Sequence, residues 1–364
     1  MTGSKQTGHL LALDGARGVA ALAVFAYHLT SMTVGAPVLP GAFLAVDLFF
    51  LMSGFVVALS YESRLRSGAL SFLSFVRVRI IRLYPLYLAA CGVGLAYHVS
   101  KLVLGTPDAP SLGTLLQPLP QAVLLLPNPA SADWASSEYP FAPSAWSLTL
   151  ELWGTILYAA VAPKLRTWHL AALAVVAAAV LVQQALAFST VDLGFNLRTF
   201  AGGAARFGLS FSMGVLLFRL RDRIMPKQPV PLWAALPAFG FVLLPHEAIW
   251  LSLLWVMLVF PLALIALASA SYPAAAAKPL DHLGRLSFGV YILHAPAMLF
   301  VAAAFKVVLG EAWDDNGSLL AAAAVVAVLG LSAATTYLFD EPVRARLRPR
   351  RIAPAALTSG LSSS

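Results

Sequence analysis

Charge is what this sequence has least of. Asp, Glu, Lys and Arg make up 11% of its 364 residues, against roughly 25% in an ordinary soluble domain. With 60% hydrophobic residues and a mean hydropathy of +0.81, a water-soluble globule is excluded, and counting domains at about 150 residues each does not apply. Cysteine is nearly absent too. Cys91 stands alone, which excludes an intramolecular disulfide framework and any multi-cysteine metal site; it is expected as a small core residue. No HxxxH or HExxH spacing occurs, so no metal is expected. There is no tandem or inverted repeat and no sizeable soluble domain at either end. The first apolar run lacks a convincing small-residue cleavage site, and Arg17 interrupts it, so it reads as a retained first helix rather than a signal peptide.

What is present is a series of apolar stretches, each long enough for a hydrocarbon core that takes about 20 helical residues. They fall at about 10–30, 41–60, 83–100, 144–162, 169–188, 203–219, 231–246, 249–269, 287–307 and 318–338. The expected fold is an all-α integral membrane protein with about ten transmembrane helices. The seventh stretch is the weakest, being short and holding Pro237 and Pro245.

The net charge of +8 suggests nucleic acid, but its distribution points to topology instead. With the N-terminus in the cytoplasm, nineteen of the 24 Lys and Arg residues fall on inner segments, a strong positive-inside bias that puts both termini in the cytoplasm. Residues 1–345 form the membrane domain, and 346–364 a basic, then disordered cytoplasmic tail. The long external stretch 101–143 holds eight prolines and the run "LLQPLPQAVLLLP". That run is too short and too Pro-broken to span, so it is expected at the outer interface or folded back over the helices.

Ionisable residues inside apolar helices mark function by default. Here they are Arg17, His28, Asp47, Glu151 and His294. Arg17 and His28 are eleven residues apart, which places both on one helix face, about 16 Å apart along the axis. Such a face presents a polar track to the protein interior; the bland alternative is that Arg17 snorkels inward and pairs with Asp14. Asp47 and Glu151 each stand a short way inside a helix from its outer end, at a depth similar to His28. One cluster of three is less costly than three isolated charges, and an imidazole beside a carboxylate is the arrangement of a general base with its orienting group. The alternative is a structural hydrogen-bond network between helices. His294 reads equally as a packing residue or a functional one. In "RVRIIRLYPLY", Arg77, Arg79 and Arg82 cluster where they either hold phosphates of an anionic cofactor or anchor the helix to lipid phosphates.

The segments "LDGARGVAALAVFAYH", "VDLFFLMSGF", "RVRIIRLYPLY", "AWSLTLELWG", "LGRLSFGVYILHAP" and "FDEPVRARL" resemble, in order and spacing, the membrane-bound acyltransferase 3 family. The family's Arg-x10-His element is met by Arg17 and His28, and its Trp-Ser-Leu-x-x-Glu element by Trp146, Ser147, Leu148 and Glu151. The resemblance runs over nearly the whole chain and is to the stand-alone type, so no C-terminal hydrolase-like domain is expected.

The resemblance implies O-acyl transfer, acetyl first, from cytoplasmic acyl-CoA to a hydroxyl of a carbohydrate, glycolipid or other small acceptor, at the plasma or inner membrane. His28 is then the expected base, with Asp47 or Glu151 orienting it. Arg17, Arg77, Arg79 and Arg82 are expected to bind acyl-CoA, and Trp146, Ser147 and His294 to bind substrate. Besides acyl-CoA, the expected partners are the acceptor and the bilayer, with no nucleic acid. The rival reading is a proton-coupled transporter or exporter of a small carboxylate or acylated metabolite.

Overall fold

The structure, a computed structural model, describes residues 4–310 and 316–347. Its main helical segments are α1 (Ser4–Val34), α2 (Ala42–Arg66), α3 (Phe72–Leu104), α4 (Ala145–Val161), α5 (Thr167–Phe188), α6 (Leu197–Ile224), α7 (Leu232–Leu243), α8 (Ile249–Ala268), α9 (Ala274–Leu309) and α10 (Gly317–Leu347). Seven of these (α2, α3, α5, α6, α8, α9 and α10) are long and apolar enough to cross a membrane. In α1, Asp14, Arg17 and His28 lower the hydropathy of an otherwise sufficient length. The 17 residues of α4 extend about 26 Å. The weakest expected span is realised as α7, a 3₁₀ segment of 12 residues with Pro237 inside it, because proline removes a backbone donor and favours the tighter turn. The chain is thus an all-α membrane protein; a two-residue parallel pairing of Val230–Pro231 with Ala270–Ser271 is the sole strand pair among the described residues.

Two seams bring the helices together. Where α1 meets α9, a methyl on Gly18 would lie 2.5 Å from the Leu283 carbonyl oxygen, and one on Gly284 equally close to Asp14 Cβ. Where α2 meets α6, Gly54 and Gly214 each face the opposing backbone, with a Cβ falling 2.1 Å from a carbonyl oxygen. Lipid tails provide no hydrophobic drive between helices, so small residues that allow close backbone approach supply the packing.

The stretch after α3 folds back over the helices, as one of the two expectations had it. Its short helices Leu112–Leu116, Leu119–Val123 and Ala132–Ala135 are pinned from below. Tyr87 donates to the Ala122 carbonyl (2.6 Å), Thr149 donates to the Leu125 carbonyl (2.9 Å), and the Leu197 amide donates to Glu138 (3.0 Å).

Asp14 packs against Gly284, and Arg17 shares a cavity with Arg344. The start of α1 and the end of α10 therefore meet at one end of the bundle, the terminal face. The folded-back stretch covers the opposite end, the loop face. Arg346 and Leu347 still belong to α10, and the remainder of the expected tail, 348–364, lies outside the described residues.

Candidate active site

A cavity of about 550 Å³ runs into the bundle from the terminal face. Its mouth carries Asp281, Arg285 and Glu341, where Arg285 makes a two-point ion pair with Glu341 at 2.8 and 2.5 Å. The mouth borders a π turn over Thr335–Asp340, the kind of irregularity that often marks a functional position in a helix. Deeper in, Arg17 lines the wall. Its Nη2 donates to Asp14 at 2.8 Å and its Nε to Ser287 at 3.0 Å, so the anticipated Arg17–Asp14 pair and the cavity-facing position occur together. Arg82 lines the cavity half-buried, with no hydrogen bond or ion pair among the described residues. Arg77 is exposed and does not line it. The expected trio of cofactor-binding arginines is therefore split, because successive turns of α3 point residues 77 and 82 in different directions.

Arg79 and Glu151 depart furthest from expectation. Arg79 is 2% exposed, and its guanidinium donates to Glu151 Oε1 at 2.7 Å, an oxygen that also accepts from Ser53 at 2.9 Å. The helix carrying Arg79 begins at Phe72, earlier than the expected span, so this arginine enters the bundle instead of standing at its mouth. Glu151, about two turns into α4, compensates it there and does not orient His28. Pairing two buried charges avoids most of the cost of leaving either alone. Arg79 Nε is buried and has no hydrogen-bond partner among the described residues.

Asp47 is likewise engaged elsewhere. It is wholly buried, as is Arg206, which reaches it at 2.6 Å through Nη2 and from 3.1 to 3.2 Å through Nε. Arg206 also donates to the carbonyls of Phe43 and Leu193 at 3.0 and 2.9 Å. Trp146, expected to bind substrate, is buried with its ring 5.7 Å from the Arg206 guanidinium and is not on the cavity wall. It packs this ion pair in place. Asp192, from the loop after α5, lies 3.7 Å from Arg206 and 3.5 Å from His246. Its hydrogen bond raises the pKa of that loop histidine above the ordinary value.

His28 has neither expected carboxylate as a hydrogen-bond or ion-pair partner among the described residues. It is exposed, and its ring stacks on His294 with centroids 5.0 Å apart and planes at 24°. His294 is fully buried, with Nδ1 3.2 Å from the Val290 carbonyl and Nε2 3.5 Å from Ser144 Oγ. The carbonyl requires a proton on Nδ1, which leaves Nε2 to accept from Ser144. One turn nearer the cavity on the same two helices, Tyr291 and Ser147 share a 2.6 Å hydrogen bond, and both line the cavity. His28 and His294 do not. The closed end of the cavity thus lies just beneath the histidine pair. Among the described residues no group of three potential metal ligands forms.

Several of these residues escape a reading of the sequence. Arg206 looks like an outer-face cation near a helix start, although apolar residues on both sides of it were a signal of depth. Asp192 and His246 sit in loops of ordinary composition. Tyr291 carries no charge to single it out.

An acyltransferase domain model, acyltransferase 3, matches residues 10–337. "Protein 2 in picA locus" of Rhizobium radiobacter is 38% identical over 154 residues, 40% of this chain and 79% of that protein. No solved structure matches the chain. With the match spanning both ends of the cavity and the histidine pair beyond it, this multi-pass membrane protein belongs to the acyltransferase 3 family and is an acyltransferase.

Proposed function

We propose that the chain is an acyl-CoA-dependent O-acyltransferase of the cell membrane. In this reading the terminal face is cytoplasmic, and acyl-CoA, acetyl-CoA first, enters the cavity there. The acceptor is a hydroxyl of a carbohydrate, glycolipid or other small molecule. The observation that carries the reading is the cavity itself, which leads from a mouth and wall rich in arginine to a closed end beside the histidine pair.

The chemistry follows from that layout. Arg82, half-buried and with no hydrogen bond or ion pair among the described residues, offers a charge-assisted contact to a donor phosphate, and Arg17 adds donors further in. His28, which is exposed, takes the proton of the acceptor hydroxyl as its oxygen attacks the thioester carbon. The C–S bond breaks, and the thiolate leaves as CoA after gaining that proton. Stacking on His294 fixes the His28 ring plane in place of a carboxylate.

Arg82→Gln tests the donor assignment. A charged hydrogen bond is worth about 1.5–3 kcal/mol, so acetyl-CoA affinity of the purified variant should fall about 10- to 100-fold. Its salt dependence should become shallower than that of wild type. Unchanged affinity and salt response would remove Arg82 from the donor site. A transporter would instead move substrate with pH-dependent flux and yield no acylated product.

A further inference from the structure

Tyr291 is the residue that joins the cavity to the histidine pair. Its side chain lines the closed end of the cavity, while its ring centroid lies 6.2 Å from that of His294 and 5.3 Å from that of Phe49. It sits one turn before His294 on α9, as Ser147 sits one turn after Ser144, the residue that precedes α4. The two helices therefore present matched rungs: Ser144 with His294 toward the loop face, and Ser147 with Tyr291 toward the cavity. On α2, α3, α4 and α9 the cavity-lining residues furthest from the terminal face are Val46, Leu86, Ser147 and Tyr291. A donor that fills the cavity from its mouth ends here.

The hydrogen bonds of the inner rung have a direction. Ser147 Oγ lies 3.2 Å from the Ser144 carbonyl, which takes the serine's one proton. With that proton placed there, the serine oxygen accepts in its 2.6 Å contact with Tyr291 and the phenol O–H is the donor, although either oxygen could donate across that contact taken alone. Ser147 Oγ is a neutral acceptor, and a developing oxyanion is a stronger one. The phenol proton is therefore held by a weak partner beside the place where negative charge would form.

Resting on the proposed acyl-CoA reading, we propose that Tyr291 is a catalytic residue that donates its O–H to the oxygen of the reacting acyl carbonyl. As the acceptor oxygen bonds to the carbonyl carbon and His28 takes its proton, the C=O electron pair moves onto that oxygen, where the Tyr291 hydroxyl meets it. The carbonyl re-forms as the C–S bond breaks, and the tyrosine keeps its proton throughout. Ser147 is a positioning residue that aims the phenol while the site is empty. The layer is nearly dry, with Tyr291 and Ser147 at 8% and 5% exposure, and a preorganised donor has more effect there than in water.

Tyr291→Phe keeps the ring and its packing on Phe49 and removes the hydroxyl. The assay supplies radiolabelled acetyl-CoA to inverted membrane vesicles from cells expressing each form and follows label into endogenous material. Losing one oxyanion donor lowers turnover about 10²–10³-fold. The expected result is a loss in that range, with the Kd of purified protein for acetyl-CoA within a factor of about three. A second measurement separates this role from a structural one. With the dithioester analogue of acetyl-CoA, whose C=S accepts hydrogen bonds poorly, the gap between wild type and Tyr291→Phe should largely close. Near-normal transfer by Tyr291→Phe overturns the proposal while leaving the acyl-CoA reading standing. An equal loss with both donors overturns it too, by showing a packing defect. If wild-type vesicles transfer no label, the acyl-CoA reading falls and this proposal with it. Should the variant fail to insert, wild type still tests the proposal, because an oxyanion donor makes the dithioester react far more slowly than its intrinsic electrophilicity dictates, and a rate at the intrinsic expectation refutes it.

Discussion

Replacing His28 by alanine is expected to lower acyl transfer about 10²–10⁴-fold, the range for losing one well-placed general base. The protein should still insert and fold. The imidazole is exposed and makes no hydrogen bond among the described residues, so its removal opens no buried cavity and strands no polar partner. Loss of the stack on His294 leaves the deeper ring held by Val290 and Ser144. Label transfer in inverted vesicles, alongside acetyl-CoA affinity and a detergent melting curve for the purified protein, separates the possible effects. Donor binding and melting should match wild type while turnover collapses. Wild-type-like turnover by the variant would sink the assignment of His28 as the base.

A different kind of loss is expected at Asp47. Its carboxylate is the main compensation for a fully buried guanidinium, and breaking a buried pair from one side costs about 3–5 kcal/mol. Asp47→Asn and Arg206→Gln should each lower thermal stability in detergent by a large margin. Joint replacement by apolar residues, Asp47→Leu with Arg206→Met, should recover much of it, since no charge is then stranded. Asp192, at 3.7 Å from Arg206, softens the first substitution somewhat. Asp47→Asn protein that inserts should still turn over below its melting point. A variant as stable as wild type but inactive would place Asp47 in the chemistry and overturn its role as a structural counter-charge.

The contrast between these two residues shows where sequence reasoning succeeds and where it stops. Apolar runs and the sorting of Lys and Arg are one-dimensional signals, because the bilayer imposes a length and a side on each helix independently. Helix positions therefore followed closely from composition, with α7 failing where two prolines shorten the run. The eleven-residue spacing of Arg17 and His28 was read from helix periodicity, which is local, but only Arg17 of the two lines the cavity. That Arg17 faces a cavity and Arg77 does not depended on which neighbour each side of α1 and α3 meets.

Depth was legible for His28, Asp47 and Glu151, and depth alone suggested that they meet. Azimuth around each helix axis, which no single span encodes, decided otherwise. The Gly54–Gly214 seam draws α6 onto α2, and the same contact of these two helices gives Asp47 to Arg206. Further along α2, where Ser53 donates to it, Glu151 turns to Arg79. The seam at Gly18 and Gly284 sets α1 beside α9 and leaves His28 with His294.

By itself, then, the sequence determined that this is a helical membrane protein of the acyltransferase 3 family, and which few polar side chains lie inside it. Only the tertiary structure decided how they pair. A buried charge takes whichever opposite charge the packing brings within hydrogen-bond reach, and in this bundle close approach at small residues governs the packing.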